Sequence, residues 1–292
     1  MSYLVIPGKF WITGKQPDGD TVAFEPHDTM IWTQDPWLVQ NGRRLPRINN
    51  ENQVDIRFDA IDALEIHYKG QNWLLEYAQP STYAFAARDF MLTQLGFNSI
   101  EWNGLTVKKA NDGQLGYIIT KSADIYGRVV GFVYAGEPSS GLLADNGISM
   151  TGALLHDSVN YKLLSSALVY PTFYTSLEVA TRNEMNAAAI SARSAGNLWS
   201  VDCTNTPMTV ATIGDLTGKY AMMPKLFRRL VTHFSQNGNL SSFHEFLSAN
   251  PDPVVDITNA DYETLAKIVF YDKTKKTVQL QQKPENLSFV EK

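Results

Sequence analysis

Cysteine is almost absent from this chain: Cys203 is the only one in 292 residues. A lone cysteine excludes an internal disulfide framework and any cysteine-rich zinc site, and its expected role is small buried filler. No apolar run approaches the roughly 18 residues needed to cross a membrane. The start, Met1 to Lys9, has no basic segment leading into a long apolar run, so no signal peptide is read there. The default expectation is a cytoplasmic protein with no membrane contact, although a chain whose leader had been removed would read the same way. Positive charge is also short. Twenty-five Lys and Arg stand against 30 Asp and Glu, a formal net charge of -5. That excludes a uniform basic coat for nucleic acid but leaves room for a local basic cleft. There is no internal repeat and no low-complexity tract. With 44% hydrophobic and 19% charged residues, wholesale disorder is excluded as well.

What is present is organised around residues 54–67. Val54, Ile56, Phe58 and Ala60 alternate with Asp55, Arg57 and Asp59, the period-two signature of a strand packed on one face. The strand then delivers Asp62 and, three residues later, Glu65. Upstream, residues 3–24 read as a hairpin whose turn carries Asp18-Gly19-Asp20-Thr21. Asp-Gly is a turn former; turn geometry makes no demand for Asp20. Residues 25–53 form a long irregular insertion with Arg43, Arg44 and Arg47, either a solvated loop or a phosphate-facing flap.

Downstream, Ser81 to Leu95 predicts a helix closed by Gly96. Strand-like runs follow at 105–107, 117–120 and 129–134. Before the last stands Asp124-Ile125-Tyr126-Gly127-Arg128. Ser149 to Leu168 predicts a helix, and Tyr170 to Tyr174 an aromatic loop. Thr175 and Glu178 have capping-box spacing and open a further helix that ends at Gly196. Strands cluster early without a βαβ rhythm, so the expected fold is a small antiparallel barrel with helices packed on it. From Cys203 onward the net charge changes from -6 to +1. Pro224 to Ser235 reads as a basic helix, Ser242 to Glu245 as a second capping box, and 268–281 as a hairpin. The expected division is a domain over 1–202 and an α+β accessory region over 203–292.

The motifs Asp18-Gly19-Asp20-Thr21, Arg57 with Asp62 and Glu65, Asp124-Ile125-Tyr126-Gly127-Arg128, and a helix ending at Gly196-Asn197-Leu198-Trp199-Ser200 occur in one order. In that order, and with those internal spacings, residues of about 3–200 resemble the staphylococcal (thermonuclease, micrococcal) nuclease family. The resemblance implies a five-stranded OB barrel with helices. It also implies calcium-dependent endonucleolytic hydrolysis of phosphodiester bonds in DNA and RNA. Asp20 and Asp62 would be hard oxygen ligands for Ca²⁺, with the main-chain carbonyl of Ala63, where a threonine is usual. So sparse a cage implies a calcium affinity near about 10⁻⁴–10⁻³ M. Glu65 would be the general base on water, and Arg57 and Arg128 would hold the phosphate in forks. Tyr126, Tyr170 and Tyr174 would contact substrate, and Arg43 and Arg44, with Arg47, Lys108 and Lys109, would form a basic rim.

Ile125 stands where the family often has lysine. Arg57 has another reading, as a partner of its strand neighbours Asp55 or Asp59, and His67 reads as a supporting or surface histidine. The rival to the nuclease reading is a non-catalytic nuclease-fold module that binds nucleic acid or protein. The C-terminal region has room for a protein partner.

Overall fold

Ile6 and Phe10 are buried between more open neighbours along the first strand, β1 (Leu4–Trp11), and so give it one inward face. Four more strands follow, each with consecutive buried residues: β2 (Thr21–Pro26), β3 (Val54–Phe58), β4 (Gln114–Ala123) and β5 (Val129–Ala135). The computed structural model describes residues 3–34, 45–70, 75–144, 147–236 and 238–291. In it the five strands close into a barrel in the order β1–β2–β3–β5–β4. β4 returns antiparallel to β1, and β3 and β5 run parallel. This is the mixed barrel-and-helix fold that the sequence leads one to expect, except that the parallel β3–β5 pair departs from the antiparallel barrel expected.

Ile6, Phe10, Phe24, Ile56, Phe58 and Phe132 are buried in the barrel unit. Gly8 and Gly116 pair across β1 and β4. A Cβ on either would run into the ring of Phe24 or Phe10, so glycine here lets the strands approach over the aromatic core. The Phe10 and Phe24 centroids lie 5.2 Å apart.

The described residues divide into two compact units, one within 1–59 and 88–163 and the other within 60–87 and 164–291. The division expected at 202/203 is not where the chain parts. Strand Ile61–Asp62 pairs with Tyr170–Pro171, and Phe173–Tyr174 pairs with Leu287–Phe289, so residues 60–87 and the C-terminal region fold as one body. Helix α1 (Ser81–Gln94) contributes residues to both units.

Helix α2 (Val159–Ser165), most of it in the first unit, carries Asn160, which is fully buried. Its amide donates to the carbonyls of Asp59 at 2.9 Å and Gly131 at 3.1 Å and accepts from the Val133 amide at 3.0 Å. One side chain therefore satisfies backbone groups at the end of β3 and along β5. Replacing it with alanine leaves those buried groups short of partners. Asn160→Ala is expected to cost about 2–3 kcal/mol, read from urea unfolding; a loss under about 0.5 kcal/mol would sink this role.

The second unit holds helix α3 (Val179–Ala192), a four-stranded sheet that begins with Phe173–Tyr174, and a three-stranded sheet. Helix α4 (Pro224–Ser235) opens on a proline, whose missing N–H costs nothing in the first turn. It buries Leu226, Phe227, Leu230, Val231 and Phe234. Among the described residues no helix is long and apolar enough to cross a membrane.

Candidate functional site

On the barrel, β3 is flanked by β2 and β5. Thr21 and Val130 are the partners of Arg57 on the two sides. Asp20, one residue before β2, accepts the Phe58 amide through its own carbonyl at 2.9 Å. Thr21 Oγ1 lies 3.3 Å from Asp20 Oδ1. Arg128, one residue before β5, falls level with Asp55 because Val129 pairs with Ile56 in parallel register. Residues 55 and 57 share one face of a pleated strand. The register thus carries Arg57 and Arg128 on the same side of neighbouring strands, with Asp20 opposite Phe58. Arg57 and Asp20 are buried.

The Asp124–Arg128 turn is built around one carboxylate. Asp124 Oδ1 accepts the amides of Tyr126 at 2.9 Å and Arg128 at 3.0 Å, and Oδ2 accepts the Arg128 Nε–H at 2.8 Å. Gly127 makes the bend at φ 84°, a left-handed conformation that glycine takes without strain. Arg128 lies over the Tyr126 ring, 5.8 Å from its centroid, and Tyr126 is 71% exposed. The Arg47 amide donates to the Gly127 carbonyl at 2.8 Å, so Arg47 stands beside this turn. Lys108 is held by Glu101 at 2.6 Å and offers less to a basic rim. Arg43 and Arg44 lie outside the described residues.

Asp62, Ala63 and Glu65 belong to the second unit. Ala60, buried at φ 67°, turns the chain into strand Ile61–Asp62. A left-handed alanine costs about 1 kcal/mol, and nothing in the alternating pattern of residues 54–60 announces it. Asp62 pairs with Tyr170 across the two-stranded ladder. Its carboxylate meets Arg228 of α4 in a fork: Nη1 to Oδ1 at 3.1 Å and Nη2 to Oδ2 at 2.7 Å. The same Nη1 donates to Glu65 Oε1 at 2.5 Å. Burial by itself would push the Arg228 guanidinium down, but the charges and hydrogen bonds of Asp62 and Glu65 outweigh it and hold the group well above its ordinary range.

Residues 62–70 follow one face of α4. Arg228, Thr232 and Ser235 are spaced one and two turns apart. Asp62 and Glu65 take Arg228, the Tyr68 hydroxyl lies 3.0 Å from Thr232 Oγ1, and a Cβ on Gly70 would strike Ser235. Gln79, fully buried, clamps the start of the same arrangement. Its Oε1 accepts the Glu65 amide at 3.2 Å, its own amide donates to the Glu65 carbonyl at 2.9 Å, and its Nε2 donates to the Met222 carbonyl at 2.8 Å. Neither Gln79 nor Arg228 stands out in sequence. The basic helix was legible, but its carboxylate partners, more than 160 residues away, were not.

Two of the expected substrate tyrosines are in different surroundings. Tyr170 is wholly buried, its hydroxyl donates to Asp202 at 2.8 Å, and its ring meets Trp199 edge-on at 5.0 Å. Burial and the Asp202 charge push its hydroxyl well above the ordinary tyrosine range. It is a core residue rather than an open substrate contact. Tyr174 is half-buried, with the Lys225 ammonium 5.5 Å from its ring centroid and Phe289 beside it at 6.3 Å.

A calcium ion requires six to eight oxygen ligands. Both Asp62 oxygens and one Glu65 oxygen already accept from a guanidinium. A divalent ion at Asp62 would need the same lone pairs and would face the Arg228 charge at contact distance. As arranged, this donor set does not suit a metal. Among the described residues, no group of three or more His, Cys, Asp and Glu side chains gathers as a metal site. No protein-family model matches the chain, and neither does any curated protein.

Proposed function

We propose that the chain hydrolyses phosphodiester bonds of DNA and RNA. The observation that carries this reading is the register that sets Arg57 and Arg128 on one side of neighbouring barrel strands, with Asp20 opposite Phe58. Two guanidinium forks suit the non-bridging oxygens of a phosphodiester, whose negative charge grows in the transition state. The exposed Tyr126 ring beside Arg128 suits stacking on a base of either nucleic acid, since every base has a π-face. Glu65 belongs to the other unit, and its part as a base on water is what the family resemblance implies.

A second reading has its own support. The hold of Arg228 on Asp62 and Glu65 favours a non-catalytic module that binds nucleic acid or protein, because a base tied to a guanidinium is a weaker proton acceptor. One assay separates the two. Supercoiled plasmid and single-stranded RNA are incubated with the full chain, with calcium and then with chelator, alongside Glu65→Gln. The hydrolase reading expects cleavage in at least one condition and a drop of about 10²-fold in the variant. A folded chain that binds the substrate and leaves it uncut in both conditions hands the protein to the second reading.

A further inference from the structure

We infer that Arg228 is the resident cation of the Asp62–Glu65 pair, and that Asp62 takes up no divalent ion while α4 is in place. The inference deepens the hydrolase reading and rests on it for the importance of these two acids. Three hydrogen bonds join one guanidinium to both carboxylates, two of them a fork on Asp62. A fork fixes orientation as well as charge, which a lysine cannot do. The seat is built from several directions. Gln79 ties the Glu65 backbone to the residue pair that leads into α4, and Tyr68 and Gly70 pack on the helix one and two turns beyond Arg228. Helix α4 is anchored on its next face as well, where Arg229 grips Asp252 with hydrogen bonds of 2.5 Å from Nε and 2.7 Å from Nη2. Arg228 is a quarter exposed and Asp62 almost fully buried, so the arginine is what the acid pair presents toward solvent. The raised guanidinium pKa accords with this: the group stays charged at any working pH. The C-terminal region, which the sequence leaves without a role, thereby supplies the charge that a metal would otherwise bring to these carboxylates. Arg228 is in this sense a positioning residue for Asp62 and Glu65.

The test is calcium titration calorimetry on the full chain, with native folding checked by circular dichroism. In the parent, no calcium uptake that depends on Asp62 is expected up to about 1 mM. Arg228→Gln, folded, should gain a site tighter than that by about tenfold, and Asp62→Asn/Arg228→Gln should lose it. Calcium binding by the parent that Asp62→Asn abolishes would overturn the inference, and so would a folded Arg228→Gln chain that takes up no calcium. The parent and Asp62→Asn arm needs no change at Arg228, so the inference stays testable if that variant fails to fold. Heat of binding is read here and not cleavage, so its failure leaves the hydrolase reading standing. A chain that cuts nothing can still satisfy it.

Discussion

Arg228→Met is expected to lower the folding stability by about 3–5 kcal/mol, the range for removing one partner of a buried ion pair. Methionine keeps an apolar stem of similar reach, so lost packing contributes little. The cost is electrostatic. Asp62 is 3% exposed and Glu65 17%, and both would lose the guanidinium that offsets their desolvation. The control is Asp62→Asn/Arg228→Met. Taking away a carboxylate together with its partner should cost less than the sum of the single changes, with a coupling of at least about 1 kcal/mol in the double-mutant cycle. Urea unfolding measures both. If Arg228→Met lost under about 1 kcal/mol, the contact would be behaving as an exposed surface pair and the account of α4 as the seat of the acid pair would fall.

How much of this was legible beforehand depends on whether the signal is local. The hairpin of β1 and β2 was legible because its strand-like runs and the turn residues between them are neighbours in the chain. Helix α4 begins and ends where Pro224 and the apolar spacing place it. Where the helix start at Thr175 is misplaced, the partner lies far off in the chain. Thr175 and Glu178 have capping-box spacing, yet the helix begins at Val179 without a side-chain cap. Thr175 Oγ1 donates instead to Glu291 at 2.9 Å, and the Ser176 amide donates to the same carboxylate at 3.0 Å. A tertiary acceptor outbid the local one.

The single helix expected over 149–168 is broken at Ser158, whose hydroxyl donates to the Leu155 carbonyl at 2.6 Å and accepts the Tyr161 amide at 3.1 Å. Serine competes with the backbone in this way, but sequence does not say where it wins. At the candidate site the same rule holds. Arg128 and Asp124 are four residues apart, and their contact is implicit in the motif. Ala60 and Arg228 are not foreseeable. One is a left-handed residue where glycine or asparagine is the usual signal, and the other is a helix cation whose partners are set by tertiary packing.

Arg128→Ala is expected to lower the rate of phosphodiester cleavage by about 10²–10³-fold, the usual cost of removing one preorganised donor to a transition-state oxyanion. It should do so without unfolding the protein. Arg128 is about one-third exposed, and an exposed pair with Asp124 contributes about 0–1 kcal/mol. Asp124 would still accept the amides of Tyr126 and residue 128, so the turn survives. That separation of activity from stability is what makes this position the cleaner probe of the two barrel arginines. Arg57 is buried between β2 and β5, and its removal would confound the two effects. Arg128→Lys sharpens the result. It keeps the charge but cannot offer two parallel N–H groups, so it should recover no more than about tenfold of the lost rate. Steady-state cleavage of a fluorogenic oligonucleotide, beside urea unfolding of the same preparations, reads both quantities. Cleavage by Arg128→Ala at the parental rate would remove the phosphate-holding role from the barrel turn, and with it the main support for the hydrolase reading.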